Sequence, residues 1–176
     1  MAAFGEETVI AAELTRSSVD SADAFALWVR PHWDDLNRLA RRLCGMDCAD
    51  DVVQEALSAA WRKRAQFDPV RGSAKAWLMA VVADQARKQH RRKRPAVELT
   101  ASVGAPAGVD EESRIDIDAA LARLTHRQRL AVSLYYYLGL PVGEISAVMS
   151  CSPGTVKSTL SDARRLLRVS LGDEYA

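Results

Sequence analysis

The sequence predicts an all-α protein: two small helical domains joined by a flexible acidic linker. Three observations carry that prediction. Alanine occurs 29 times in 176 residues, while aromatic residues make up only 6%. Alanine is the best helix former, whereas strands favour β-branched and aromatic side chains. Apolar residues recur at helical spacing in several separate stretches. Between two groups of such stretches, residues 95–114 hold small residues, Pro, Gly and acids without any period. Such a segment cannot bury enough surface to offset chain entropy.

Taken in order, the acidic residues 1–20 read as a flexible N-terminus, and a first domain spans 21–94. Its first helix runs from about Ala22 to Gly45, with Phe25, Trp28, Val29, Leu36, Leu39, Ala40 and Leu43 inward and a break at Pro31. Gly45 is a suitable stop. A second helix starts at Asp47 or Asp50 and reaches about Gln66, with Val53, Leu57, Ala60 and Trp61 inward. The stretch Phe67–Ser73 is rich in helix breakers and reads as a turn. A third helix runs from Ser73 to about Arg94, carrying Trp77, Leu78, Val81, Val82 and Gln85 on one side and ending before Pro95.

The second domain spans 115–176. Thr125-His126-Arg127-Gln128 has capping-box form, and Leu130, Leu134 and Leu138 follow at four-residue steps. Gly139 and Pro141 stop that helix. A short helix, Val142–Met149, is separated by Ser150-Cys151-Ser152 from a last helix opening at Pro153, with Val156, Leu160, Ala163 and Leu167 inward. Two helices joined by so tight a turn form a helix-turn-helix, whose second helix can lie in the DNA major groove. Outward on that helix stand Thr155, Ser158, Thr159 and Asp162, flanked by Lys157, Arg164, Arg165 and Arg168. Short polar groups can read base edges while cations hold phosphates.

The charge distribution points the same way. Residues 1–24 carry −4, 25–94 carry +7, 95–118 carry −5 and 119–176 carry +3, for a net +1. Two basic blocks flanking an acidic segment fit a polyanionic partner touched at two places. Arg87-Lys88-Gln89-His90-Arg91-Arg92-Lys93-Arg94 places six permanent cations in eight positions, more than a helix C-terminus needs for its dipole. The start of the chain, with Glu6, Glu7 and Glu13, does not read as a secretory signal. The longest apolar run, Trp77–Ala83, is far short of a membrane span. Three cysteines, Cys44, Cys48 and Cys151, argue against a disulfide framework, so a cytoplasmic location without membrane contact is expected. No catalytic nucleophile-plus-base motif and no phosphate loop is present, so the expectation is a non-enzyme without cofactor or metal. Trp28, Trp33, Trp61 and Trp77 read as packing residues, and Tyr135–Tyr137 as a run part buried and part exposed.

Two sets of residues together resemble one family. Asp51-Val52-Val53-Gln54-Glu55, Trp61, Phe67-Asp68-Pro69 with Arg71-Gly72-Ser73, Ala76-Trp77-Leu78 and the basic run look like domain two of bacterial RNA polymerase sigma factors. Leu124, Arg127-Gln128-Arg129, Leu138-Gly139-Leu140, Glu144-Ile145, Gly154-Thr155-Val156-Lys157-Ser158 and Ala163-Arg164-Arg165 look like domain four. Both domains in so short a chain resemble the extracytoplasmic-function (ECF) group. The resemblance covers about residues 22–170.

It implies a sigma factor that binds core RNA polymerase and directs promoter-specific initiation, restrained by an anti-sigma factor. Asp51, Gln54 and Glu55 would grip the β′ clamp helices. Lys75, Arg87, Lys88, Arg91, Arg92, Lys93 and Arg94 would contact the minus-ten element, whose opened strand is captured by base pockets and cations on the backbone. Thr155, Lys157, Ser158, Thr159, Asp162 and Arg165 would meet the minus-thirty-five element, while domain four touches the β flap. The acidic linker would thread polymerase channels otherwise used by nucleic acid. Departures from the family pattern are Ala83-Asp84 in place of Arg-Asn, Thr159, Ser161 and Asp162 in place of Arg, His and Arg, which leave the last helix less cationic, and Ser150 in place of a turn glycine. Two readings are weighed against a sigma factor: a stand-alone helix-turn-helix regulator, under which the outward Gln54-Glu55 pair has no purpose, and a pure interaction protein whose DNA contacts are lost, for which Thr159 and Asp162 speak.

Overall fold

A computed structural model describes residues 21–93, 117 and 119–171 of the chain. The expected N-terminus, the linker and Arg94 lie outside the described residues, as does the side chain of Lys93. Among the described residues there are helices and no strands, in the order α1 (Ala22–Val29), α2 (Trp33–Cys44), α3 (Met46–Lys63), α4 (Ala74–Lys93), α5 (His126–Val132), α6 (Val142–Val148) and α7 (Pro153–Leu171). A further helical stretch covers 119–122.

The first helix breaks where proline predicts. Ser21 caps α1 through its hydroxyl, and the 3-10 turn Arg30–His32 containing Pro31 separates α1 from α2. Gly45, at φ +84°, ends α2, and its amide donates to the Arg41 carbonyl 2.9 Å away. That left-handed conformation suits glycine, and α3 departs at once in a new direction. Ser73 caps α4 by accepting from the Ala76 amide at 3.1 Å.

Helices α2, α3 and α4 pack on one another around Leu36, Leu39, Val52, Val53, Leu78, Met79 and Val82, all nearly inaccessible. An aromatic cluster of Phe25, Trp28, Trp61, Phe67 and Trp77 closes the end beside the 67–73 turn, with ring centroids 5.2–5.9 Å apart. Trp28, Trp61 and Trp77 are therefore packing residues. Trp33 is not: it stands exposed at the start of α2, ahead of the inward stripe.

The second unit wraps α5, α6 and α7 around Leu134, Ile145, Val156, Leu160 and Ala163. Thr125 and Gln128 make the reciprocal capping box. The helix predicted to run on through Leu138 instead widens after Val132 into a π-helical turn, Ser133–Tyr137, with the Leu138 amide donating to the Ser133 carbonyl at 3.1 Å. Helix α6 ends in a Schellman arrangement. The Cys151 amide donates to the Ser146 carbonyl at 3.0 Å and the Ser150 amide to the Ala147 carbonyl at 3.2 Å. Ser150 fills the left-handed position at φ +49°, where glycine is usual.

The two units do not stand apart. Helix α4 packs against α6, and α2 packs against α5 and the π-turn, so that the buried side chains of both units form one apolar cluster. This contact corrects the one-sided stripe expected for α4. Met79, Ala83 and Ala86 are as buried as Leu78 and Val82, because α4 has neighbours on both sides.

Two stability changes follow. Leu160→Ala deletes a side chain 5% exposed and is expected to cost about 2–5 kcal/mol, read by thermal or denaturant unfolding. Ser150→Gly relieves the left-handed strain and is expected to stabilise the protein by about 1 kcal/mol, read as a rise in melting temperature.

Candidate nucleic-acid interface

Helix α3 presents Asp51, Gln54 and Glu55 at i, i+3 and i+4, and all three are exposed on one face. The neighbouring α4 answers with Gln85, Lys88, Gln89 and Arg92 on its own i, i+3, i+4, i+7 stripe. Between the two stripes lies a cleft of about 180 Å³ lined by these residues and Val52. The structure thus brings together side chains that the sequence assigns to two different partners. The acids of α3 and the cations of α4 share one opening.

Most of the basic set occupies the C-terminal end of α4. Arg87, Arg91 and Arg92 are exposed and Lys88 is half-buried. Asp84 bonds to Lys88 at 2.8 Å and to Arg87 at 3.3 Å, so two of these cations already hold a carboxylate. The hydrogen bond from Lys88 outweighs the opposing effect of partial burial and, with the charges of Lys88, Arg87 and Lys63, keeps Asp84 below the usual carboxylate range. It therefore stays ionised throughout mildly acidic and neutral solution, and the pairing persists there. The acid that departs from the family pattern acts as an internal counterion for the basic helix.

Lys75 is separated from this end. It begins α4, roughly 20 Å along the helix axis from Lys88 at 1.5 Å per residue. Its ammonium lies 2.8 Å from Asp35 and donates to the Leu138 carbonyl at 2.9 Å. Lys75, expected on the nucleic-acid surface with the other cations, thus stands apart from them in this arrangement, with the acid and the carbonyl engaging two of its three donors.

On α7, Val156, Leu160 and Ala163 are buried, leaving Lys157, Ser158, Asp162 and Arg165 exposed. Thr155 and Thr159, expected outward, are half-buried. Their hydroxyls are tied locally: Thr155 Oγ1 lies 2.9 Å from Ser152 Oγ, and Thr159 donates to the Thr155 carbonyl at 2.7 Å. Ser158 also donates to that carbonyl, at 3.0 Å. Such bonding back to the preceding turn uses the hydroxyl protons and leaves oxygen lone pairs facing out. Asp162 pairs with Arg165 at 3.4 Å on the exposed face. Ser152 caps the helix by accepting from the Thr155 amide at 3.1 Å.

Some participants gave no sequence signal. Arg42 is buried, its guanidinium 3.3 Å above the Tyr137 ring centre. His90 stacks on His126 across the two units, centroids 5.9 Å apart and planes 16° apart. The basic run and the capping box mark those histidines individually, but only the docking of the units pairs them. Among the described residues no group of three or more His, Cys, Asp or Glu side chains is placed to hold a metal, and no helix is long and apolar enough to cross a membrane.

A cationic helix on one helical unit and a helix-turn-helix on the other define a DNA-binding class of protein. Family models give that class its identity: residues 28–95 match Sigma-70 region 2, and residues 114–167 match Sigma-70, region 4. The chain is 34% identical to the ECF RNA polymerase sigma factor SigL of Mycobacterium tuberculosis (strain Erdman), over 86% of this chain and 93% of the relative. It is 30% identical to SigK of Mycobacterium ulcerans (strain Agy99), over 74% and 75%. Among solved structures it is similar to the sigma factor RpoE from Bartonella quintana, in complex with the anti-sigma factor NepR, with a TM-score of 0.72, 26% identity and 84% and 96% coverage. It is also similar to CnrH bound to the cytosolic domain of CnrY, at a TM-score of 0.70, 26% identity and 94% and 97% coverage. The chain belongs to the ECF group of the sigma-70 family, the subunits that bind core RNA polymerase and direct it to promoters.

Asp84→Asn is expected to release Arg87 and Lys88 for phosphate. Promoter binding by the holoenzyme should then fall more steeply with salt, its log–log slope larger in magnitude by about 1, with helicity unchanged.

Proposed function

We propose that this sigma factor divides its work between the unit 21–94, which holds core polymerase and the minus-ten element, and the unit 115–176, which reads the minus-thirty-five element. The observation that carries the reading is the shared cleft between α3 and α4. It offers Asp51, Gln54 and Glu55 on one wall and Lys88 and Arg92 on the other. A polymerase surface engaging the acidic wall would bring promoter DNA beside the cationic one. Asp51, Gln54 and Glu55 contact the β′ clamp helices, where exposed polar residues can fix register without disturbing the core. The exposed cations Arg87, Arg91 and Arg92, with Lys88, Lys93 and Arg94, run along the backbone of the opened strand.

Helix α7 enters the major groove. Lys157 and Arg165 hold phosphates, and Ser158 and Asp162 face the base edges as acceptors. The segment 95–114 links the two units through the polymerase, and the protein works in the cytoplasm beside core enzyme. The similar sigma factor RpoE is held by the anti-sigma factor NepR, and a comparable partner restrains this chain until its signal arrives. The protein supplies recognition, and the polymerase supplies the chemistry.

The test is transcription by purified core polymerase from a cognate promoter, with and without the chain. Glu55→Lys reverses an exposed charge on the acidic wall. It is expected to weaken association with core roughly tenfold or more while leaving the melting temperature almost unchanged. Normal core affinity in that variant would remove the assignment of this face.

A further inference from the structure

The surface where the two units meet is built asymmetrically. Lys75 of α4 donates to the Leu138 carbonyl, Arg42 of α2 stacks on the Tyr137 ring, and His90 of α4 stacks on His126 of α5. In each contact the first unit brings a basic group and the second a partner without negative charge. Arg42 is only 6% exposed, and its Nη1 has no hydrogen-bond partner among the described residues. A buried cation left half-satisfied weakens the contact that buries it.

The histidine pair sits where further positive charge is least welcome. A pocket of about 180 Å³ beside it is lined by Ala83 and Arg87 of α4, His126, Arg127 and Leu130 of α5, and Val148, Met149 and Ser150 at the end of α6. Arg87 and Arg127 line this pocket together with His126, one from each unit. Arg129 also acts on His126, although its guanidinium is bound to the Leu121, Ala122 and Leu124 carbonyls. The end of α6 contributes no charge. Asp84, the acid on this stretch of α4, is already paired with Arg87 and Lys88, with Lys63 of α3 nearby.

We propose that the contact between the units is a reversible latch that opens in acid, when a proton on His126, stacked on His90 across the contact, adds charge beside Arg87, Arg127 and Arg129. Opening frees Lys75 and Arg42 from the second unit. The direction follows from linkage. Burial first, then His90, Arg129 and Arg87, push His126 down from 6.5 to about 4 in the docked form. The separated form recovers a value nearer 6.5 and binds the proton more readily. Docking is therefore fully favoured above about 6.5 and loses up to roughly tenfold per pH unit as pH falls towards 4. Below that both forms are protonated and the dependence ends.

The experiment uses the full chain alone, without polymerase or DNA, so its outcome is independent of the promoter-binding assignments above. Small-angle scattering from pH 7.5 to 5.0 should show the radius of gyration rising and recovering on return, while circular dichroism keeps the helices intact. His126→Gln should abolish the pH dependence. His90→Gln, at an exposed position, should blunt it by removing one member of the stack, and serves if His126→Gln loses helicity. An unchanged radius across that range in the unaltered protein would overturn the latch. Equal expansion in the glutamine variant that folds would do so too.

Discussion

The burial of α4 on two sides is the constraint on which the rest of the structure depends. Leu78, Met79, Val82, Ala83 and Ala86 are almost wholly shielded, although a helix at a protein surface normally hides one stripe. The small side chains make double coverage possible, because Ala83 and Ala86 let neighbouring elements approach closely. The same helix then ends in a concentration of cations that cannot be buried. Apolar first half and basic second half fix which part of α4 is scaffold and which part meets a partner.

That arrangement explains why the acidic and basic walls of the cleft face one another. Asp51, Gln54 and Glu55 project from α3 because Val52, Val53 and Ala56 are drawn inward against α4. Lys88 and Arg92 project from α4 because Val82 and Ala86 are drawn inward. Neither wall needs the other for its position; both are by-products of one packed interface. The internal counterion Asp84 moderates the field of the basic end, where six cations in eight residues would otherwise repel one another at close range.

Much of the architecture was legible in the sequence because local chemistry determines it. Pro31 broke the first helix, Gly45 ended α2, Thr125 and Gln128 capped α5, and the Val156, Leu160 and Ala163 stripe turned inward as spaced. The left-handed backbone at Ser150 was readable because a helix-turn-helix turn demands it whatever residue is present. The docking of the two units was not legible, since it unites residues far apart in the chain. The i,i+3 spacing of Lys75 and Leu78 says nothing of Leu138, and nothing in the periodicity of α2 marks Arg42 as destined for the Tyr137 ring. The hydroxyls of Thr155, Ser158 and Thr159 were visible as polar groups, but the turn of their own helix to which they bond was not.

The wide turn at Ser133–Tyr137 carries a consequence for how the second unit is phased against the first. An α-helix advances 100° per residue, so the extra residue in a π-turn shifts everything after it by about that angle. Tyr137 and Leu138 lie at the end of this offset, and they are the residues that receive Arg42 and Lys75. A chain one residue shorter here could keep its helix-turn-helix intact yet aim the ring and the carbonyl away from the first unit. Two of the contacts between the halves, at Tyr137 and Leu138, thus depend on a local change in helical pitch.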